Sequence, residues 1–257
     1  MKTGLINGLS GDALILFLSP EKKNRDEGLK LLNIVSEEIT TSTDYSFDTG
    51  ITGFGWLVAF LHQERLIDID SDDILEDFDD QIYKLTLQEL SEQNMDINTL
   101  LGFIDYHIIR HRNKNFNEQQ FRKFLHQECI NLMVEKLNTL IGYYISQKEL
   151  TQKQIENSCK ILLKFSYLSN YINNKIISDQ LPDQLYHFIK YTQNNLQPDS
   201  NLKKQSQKRL WQAVKNKNYK VFITQLEIDL PKVNYRDLKE TLDINNIIYN
   251  LTNTNNQ

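Results

Sequence analysis

The sequence predicts an all-α fold built from helical hairpins that repeat along the chain. Two observations lead to this prediction: a glycine motif that occurs twice before an apolar segment, and a regular alternation of apolar and amphipathic helical segments. The chain has only 9 glycines and 4 prolines in 257 residues, so long periodic segments run without interruption. No Pro- or Gly-rich seam divides the chain, and we therefore expect a single domain over residues 1–257.

The glycine motif reads Gly-x-x-Gly. Residues 8–11 (Gly-Leu-Ser-Gly) lead into an apolar segment that ends at Leu18, and residues 50–53 (Gly-Ile-Thr-Gly) lead into a second one. The two copies lie about 40 residues apart, a spacing typical of helical-hairpin repeats. Glycines followed by a nearly all-apolar helix predict a backbone turn that packs closely against its neighbours and a helix buried on most sides.

Amphipathic segments follow the apolar ones, at residues 26–39 and 70–90. Their apolar residues recur about once per helical turn: Leu29, Leu32, Val35, Ile39, Ile74, Phe78, Ile82 and Leu85. We expect Ser71 or Asp72 to cap the second segment. The alternation predicts that the apolar helices are inner helices, more buried than the two amphipathic ones: 8–18, 52–65 and about 99–112.

The repeat pattern weakens in the second half of the chain. The segment 99–106 keeps one glycine, and residues 139–144 repeat it around Gly142. We therefore predict recognisable repeats over 1–112 and a divergent half over 113–257. The expected elements of that half are a helix at 154–177, one that starts at Pro182, one or two up to Leu226, one at 235–251 and a polar tail at 252–257.

Charge and composition exclude several classes of partner. The formal net charge of −5 provides no basic surface, so we expect no nucleic-acid partner. No apolar run is long enough to span a membrane and the first residues lack a signal-peptide pattern, which predicts a cytoplasmic protein without membrane insertion. Cys129 and Cys159 are too few for a disulfide framework.

Two pairs of side chains have the spacing of zinc ligands along a helix: His107 with His111, and His126 with Cys129. Arginines on either side of His111 disfavour a cation, and a zinc site needs three or four convergent ligands. We therefore predict surface histidines and a buried helix cysteine, with no metal site and no cofactor.

A run of acidic residues lies at the start of the second amphipathic segment: Asp68, Asp70, Asp72, Asp73, Glu76, Asp77, Asp79 and Asp80. A calcium loop would need a glycine and a glutamate at fixed positions, which this run lacks. We expect a solvated face of an outer helix.

The two glycine motifs also carry a family resemblance. The stretches GLINGLSGDALILFL and FDTGITGFGWLVAFL resemble the first two inner-helix motifs of the lanthionine synthetase C-like family, the cyclase-type α/α toroids. The resemblance implies an α/α toroid-like fold. A full toroid of that family is longer than this chain, so the ring is expected to be incomplete or open.

The resemblance does not extend to the catalytic motifs of the family. There, two cysteines and a histidine hold a zinc ion in a Cys-Tyr-Gly-like and a Cys-His-Gly motif. Here Cys129 is followed by Ile-Asn and Cys159 by Lys-Ile. No zinc ligand or catalytic residue is carried over, and we do not expect a zinc-dependent cyclase.

The resemblance implies a catalytically incomplete member of the family that acts as a peptide-binding or accessory component of ribosomal peptide modification. Two alternatives remain open. A toroid enzyme acting on a carbohydrate would need inward carboxylates, for which Asp12, Asp48 and Asp105 are the candidates. A structural helical-repeat module would instead bind another protein.

The predicted binding residues lie where the inner helices begin. The first turn of a helix leaves backbone N–H groups unpaired, and such groups at one mouth of a ring could hold an extended peptide. The candidates are Asn7, Asp48 and Thr49, which precede the glycine turns, and Trp56 one turn inside. Asn7 and Asp48 could instead only cap the helices.

Overall fold

The computed structural model describes residues 2–92, 95–113, 120–197 and 200–215. This part of the chain contains helices and no β-strand, which confirms the all-α prediction. Its ten helices are α1 (Leu9–Leu18), α2 (Lys22–Ile39), α3 (Ile51–Gln63), α4 (Ser71–Ile74), α5 (Glu76–Ser91), α6 (Ile97–His111), α7 (Gln120–Ser146), α8 (Gln152–Leu168), α9 (Lys175–Asn195) and α10 (Asn201–Lys215).

The described chain divides into two compact units, and α7 contributes to both. The first unit comprises the described residues up to Cys129, and the second those from Ile130 onward. The prediction of a single domain over 1–257 stays a prediction. None of the helices described is both long and apolar enough to cross a membrane.

In the first unit, burial alternates between neighbouring helices as the sequence predicts. Nearly every residue of α3 up to Leu61 is buried, and α1 and α6 are buried over most of their length. The amphipathic helix α2 buries only three residues: Gly28, Leu32 and Val35. The amphipathic helix α5 also buries three: Asp79, Ile82 and Thr86. Helix α1 packs on α2, and α3 packs on α6.

The glycine turns bring backbone segments close together, as predicted. The N-terminal segment lies along residues 47–49, with Thr3 N–H donating to Thr49 O at 2.9 Å. A Cβ atom at Gly55 would lie 2.5 Å from the Phe78 ring and 2.9 Å from the Tyr106 ring. Only glycine leaves room for this approach of α3 to its neighbours.

The N-terminal cap of the acidic segment differs from the prediction. The cap is Asp70, whose carboxylate accepts from the backbone N–H of Asp72 at 2.8 Å. The predicted helix at 70–90 is divided into α4 and α5, because Leu75 breaks the helical backbone between them.

In the second unit, α8, α9 and α10 pack against one another, and two predictions are wrong. Gly142 lies inside the continuous helix α7, and a Cβ atom added there would meet no other part of the protein within 4 Å, so this glycine does not begin a repeat. Helix α9 begins after Asn174, which caps it, and continues through Pro182. Buried residues lie on both sides of Pro182 and hold the helix in place: Ile177, Leu181, Leu185 and Phe188.

The predicted helix at 154–177 ends at Leu168, and a short loop leads to α9. The predictions for residues past Lys215, including the helix at 235–251 and the tail at 252–257, lie outside the described residues.

Candidate functional site

A buried ion pair joins α5 and α6 in the first unit. The Asp79 carboxylate accepts from Arg110 Nε at 2.9 Å and from Arg110 Nη2 at 2.7 Å, a bidentate geometry. Both residues are nearly inaccessible, at 4% and 3% exposure. Tyr106 Oη donates to the same carboxylate at 2.6 Å, and Arg122 lies 3.6 Å from it. Four partners therefore stabilise one buried charge: Arg110, Tyr106, Arg122 and His126.

A second carboxylate completes the cluster. Asp72 accepts from Arg110 Nη2 at 3.0 Å and also from the side-chain amide of Asn113. The prediction that the acidic run is a solvated face is wrong for Asp72 and Asp79, which are 6% and 4% exposed. The other six acidic residues are exposed. The two exceptions are buried because Arg110 extends from α6 toward both of them.

The cluster holds Asp79 ionised. Burial alone would raise the pKa of its carboxyl group, but interactions with His126 and Arg110 lower it well below its usual range. Burial would lower the pKa of Arg110, and the bond to Asp79 raises it above its ordinary value. A carboxyl group with a lowered pKa is a poor general acid, and the bidentate arginine blocks its oxygens.

A chain of polar contacts leads from the ion pair into the core. His126 Nε2 lies 3.6 Å from Asp79, His126 Nδ1 lies 2.8 Å from His107 Nδ1, and His107 Nε2 lies 2.9 Å from Thr86 Oγ1. The prediction of surface histidines is wrong for His107 and His126, which are 0% and 5% exposed. Burial lowers the pKa of both imidazoles.

The zinc-like pairs do not come together as a metal site. In the part of the chain described, no group of three or more His, Cys, Asp or Glu side chains is placed to hold a metal ion. Cys129 is fully buried, as predicted, and burial raises its pKa to about 12. Burial likewise raises the pKa of Cys159 to about 11. Such thiols are poor nucleophiles because little thiolate is present near neutral pH.

A pocket of about 660 Å³ lies beside the ion cluster, at the C-terminal end of α3. Its volume falls in the range of small-ligand sites. It is lined by side chains of α3, of the loop that follows, and of the residue two positions after α6: His62, Gln63, Arg65, Leu66, Ile67, Asp68, Ile69 and Asn113.

Hydrogen bonds fix three of the lining side chains. Asn113 donates to Asp72 of the ion cluster, and Gln63 Nε2 donates to Ile109 O at 2.7 Å. His62 Nδ1 lies 2.7 Å from Ser71 Oγ, and the Ser71 backbone N–H also donates to it at 3.3 Å. The buried cluster thus positions one wall of the pocket.

The contacts of Ser71 assign the tautomer of His62. The Ser71 backbone N–H donates to His62 Nδ1 at 3.3 Å, so Nδ1 is an acceptor and the Ser71 hydroxyl at 2.7 Å donates to it as well. Because Nδ1 accepts, the neutral ring carries its proton on Nε2. No partner for Nε2 lies among the described residues. Ser71 itself is fully buried, so this serine–histidine pair cannot present a nucleophile to a substrate.

Two charged residues of the loop line the pocket, and both are exposed. Arg65 and Asp68 line the pocket and form no ion pair with any described residue. Arg65 has a φ of 55°, in the left-handed region that favours glycine. It occupies the position after the α3 C-cap, where its N–H donates to His62 O at 2.9 Å and Leu66 N–H donates to Leu61 O at 2.8 Å.

The predicted binding residues lie at the opposite end of α3. Asn7 and Asp48 are exposed and adjacent, since the backbone N–H of Asn7 donates to Asp48 O at 2.9 Å. The N-cap residues of α1 and α3 are Gly8 and Gly50, so neither Asn7 nor Asp48 occupies a cap position.

The other two predicted residues have internal contacts. The Thr49 hydroxyl donates to Asp44 at 2.7 Å. Trp56 is 1% exposed and stacks on Phe60 at 5.1 Å between ring centroids, so a ligand would not reach it in this conformation. Of the carboxylates considered for carbohydrate chemistry, Asp105 is buried, Asp12 is partly exposed and Asp48 is exposed.

The sequence contains signals for the cluster that the prediction overlooked. Leu75, Asp79, Ile82 and Thr86 are spaced three and four apart, which places Asp79 on the buried face of α5. Tyr106 and Arg110 have the same spacing on a helix predicted to be inner. A charged residue on a buried face needs a partner of opposite charge.

Fold and site together define an all-helical protein with a ligand-sized pocket supported by a buried ion cluster. No family model, curated protein or solved structure matches the chain. The resemblance to the lanthionine synthetase C-like family therefore remains an expectation from the two glycine motifs.

Proposed function

We propose that this protein binds a peptide in the pocket at the C-terminal end of α3 and does not itself catalyse a reaction. The observation behind the proposal is the mixed lining of that pocket: an exposed cation, an exposed carboxylate and three apolar side chains on one short loop. A peptide offers matching groups, because it carries backbone donors and acceptors beside apolar side chains.

The rigid support of the pocket favours binding. His62, Gln63 and Asn113 are already held by hydrogen bonds to the protein, so a ligand would not have to order them. The loop residues Arg65 and Asp68 have no described ion-pair partner that a ligand would need to displace.

The chemistry of the buried groups favours binding over catalysis. The carboxyl groups of the cluster are bonded to Arg110, and the cysteines are buried with raised pKa values. The finer part of the proposal follows the family resemblance: the chain serves in the cytoplasm as an accessory component of ribosomal peptide modification. A purely structural interaction module is the alternative.

A displayed library of random hexapeptides tests the proposal. We expect the protein to enrich sequences whose binding is lost in the double variant Arg65→Gly/Asp68→Ala, which removes the two charges that line the pocket. The matched control is Arg25→Ala/Asp26→Ala, which removes the same two charges from exposed positions of α2 and should bind like the unmodified protein.

Two results would count against the proposal. One is the absence of any enriched sequence. The other is enrichment of peptides that bind the double variant as tightly as the unmodified protein, which would move the site elsewhere. Circular dichroism spectra of all three proteins must agree for the comparison to hold.

A further inference from the structure

We infer that the pocket recognises a carboxylate group of its ligand, held by His62 Nε2–H and the Arg65 guanidinium. This inference rests on the proposed peptide-binding function and specifies the group that the same pocket recognises. The carboxylate can be the C-terminus of a peptide or the side chain of an aspartate or glutamate.

The oriented donor on His62 is the first observation. Ser71 donates to Nδ1 through its hydroxyl group at 2.7 Å and its backbone N–H at 3.3 Å. The neutral ring therefore carries a proton on Nε2, the nitrogen without a described partner, in a side chain that lines the pocket. An N–H group held in this manner can donate to an acceptor on the ligand.

The guanidinium of Arg65 is the second observation. Arginine pairs with carboxylates in a bidentate geometry, and Arg65 forms no ion pair with a described residue. The left-handed φ of 55° places the residue at a helix end where glycine is the common choice. An arginine at a position that favours glycine is explained if its side chain binds an anion.

Two features oppose an anion here, and neither outweighs the donors. The C-terminal end of a helix disfavours negative charge, but the carbonyl oxygens of Phe60, Leu61 and His62 accept hydrogen bonds from residues 64–66. Asp68 also lines the pocket, and its charge favours the backbone N–H groups of a peptide ligand. Glu64, the chain neighbour of Arg65, does not line the pocket, and exposed charges more than about 10 Å away are screened at ordinary ionic strength.

Three small probes test the inference by ¹⁵N NMR of the His62 ring. They are N-acetylleucine, its neutral amide, and the α-amide of N-acetylglutamate, each titrated to millimolar concentration. We expect a probe with a carboxylate to shift the Nε2 resonance and the neutral amide to leave it unchanged. Arg65→Gly should weaken the binding about tenfold, as loss of a charged hydrogen bond implies, whereas Arg25→Ala should not change it.

The three probes separate the outcomes. A response to N-acetylleucine assigns a C-terminal carboxylate, and a response to the glutamate amide alone assigns a side-chain carboxylate. Three outcomes would overturn the inference: equal responses to the acid and the amide, a response retained by Arg65→Gly, or no response to any probe. The hexapeptide library does not presuppose a carboxylate, so its result decides the proposed function separately.

Discussion

Arg65 combines a strained backbone with an exposed charge that forms no ion pair within the described part of the chain. A non-glycine residue in the left-handed region is less stable than glycine by roughly 1–2 kcal/mol. Neither buried contacts nor an ion pair with a described residue offset this cost. Strain of this kind is common at ligand sites, where the side chain serves binding instead of stability.

Arg65→Gly should therefore stabilise the protein while it weakens binding. We expect a gain of about 1 kcal/mol, because glycine adopts the left-handed conformation without steric cost. The measurement is the urea midpoint of the unfolding transition followed by circular dichroism. Arg65→Ala is the control, since it removes the charge and keeps the Cβ atom, and it should bring no such gain. Equal midpoints for the two variants would contradict the strain argument.

Asp79 should govern the acid stability of the first unit. Its folded pKa lies below that of an unfolded aspartate, near 3.9. The charged form therefore contributes stability at neutral pH, and this contribution is lost as the pH falls from about 5 toward the folded pKa. Removing one partner of a buried ion pair costs about 3–5 kcal/mol at neutral pH.

Asp79→Asn should be much less stable than the unmodified protein at pH 7, and the difference should shrink by pH 3. The check is the free energy of unfolding at several pH values, with the exposed Asp26→Asn as the control. A difference that stays constant with pH would mean that the ion pair contributes little.

At the scale of helices, glycine acts in opposite ways in α3 and α7. Gly55 lies where a Cβ atom would come 2.5 Å from the Phe78 ring, whereas Gly142 is exposed with nothing within 4 Å. The first glycine permits close packing, and the second only weakens a helix.

Alanine substitutions at these two glycines should have opposite effects on stability. Gly55→Ala should destabilise the protein by about 1–3 kcal/mol through overpacking. Gly142→Ala should stabilise it by about 0.5–1 kcal/mol, since alanine restricts the unfolded chain more. Urea unfolding of both variants provides the test. A stabilising Gly55→Ala would show that α3 has more space than the rings of Phe78 and Tyr106 allow.

The helices and their burial could largely be predicted from the sequence, because the hydrophobic period in α1, α2, α3 and α6 reports which face is buried. The site could not. It depends on Arg110 of α6 reaching Asp72 and Asp79 across the fold, and on a loop that carries no motif. Pro182 and Gly142 misled the prediction because burial and helix length outweigh the local preferences of single residues.

At the scale of the whole molecule, helix packing supports the proposed site. The alternating helices of the first unit create the packed support, and the buried ion cluster fixes His62 and Asn113 at the wall of one pocket. In the proposed function, binding then depends on a few exposed side chains of the loop after α3. Variants of that loop should change binding with little effect on helix content.

The central claim is that a peptide occupies the pocket at the end of α3. The most direct measurement is a ¹H–¹⁵N NMR titration of the full chain with a library-selected hexapeptide. The account predicts shift changes concentrated at residues 62–69 and at Asn113, and absent from the same spectra of Arg65→Gly/Asp68→Ala. Changes concentrated around Asn7 and Asp48, or in the second unit, would contradict it.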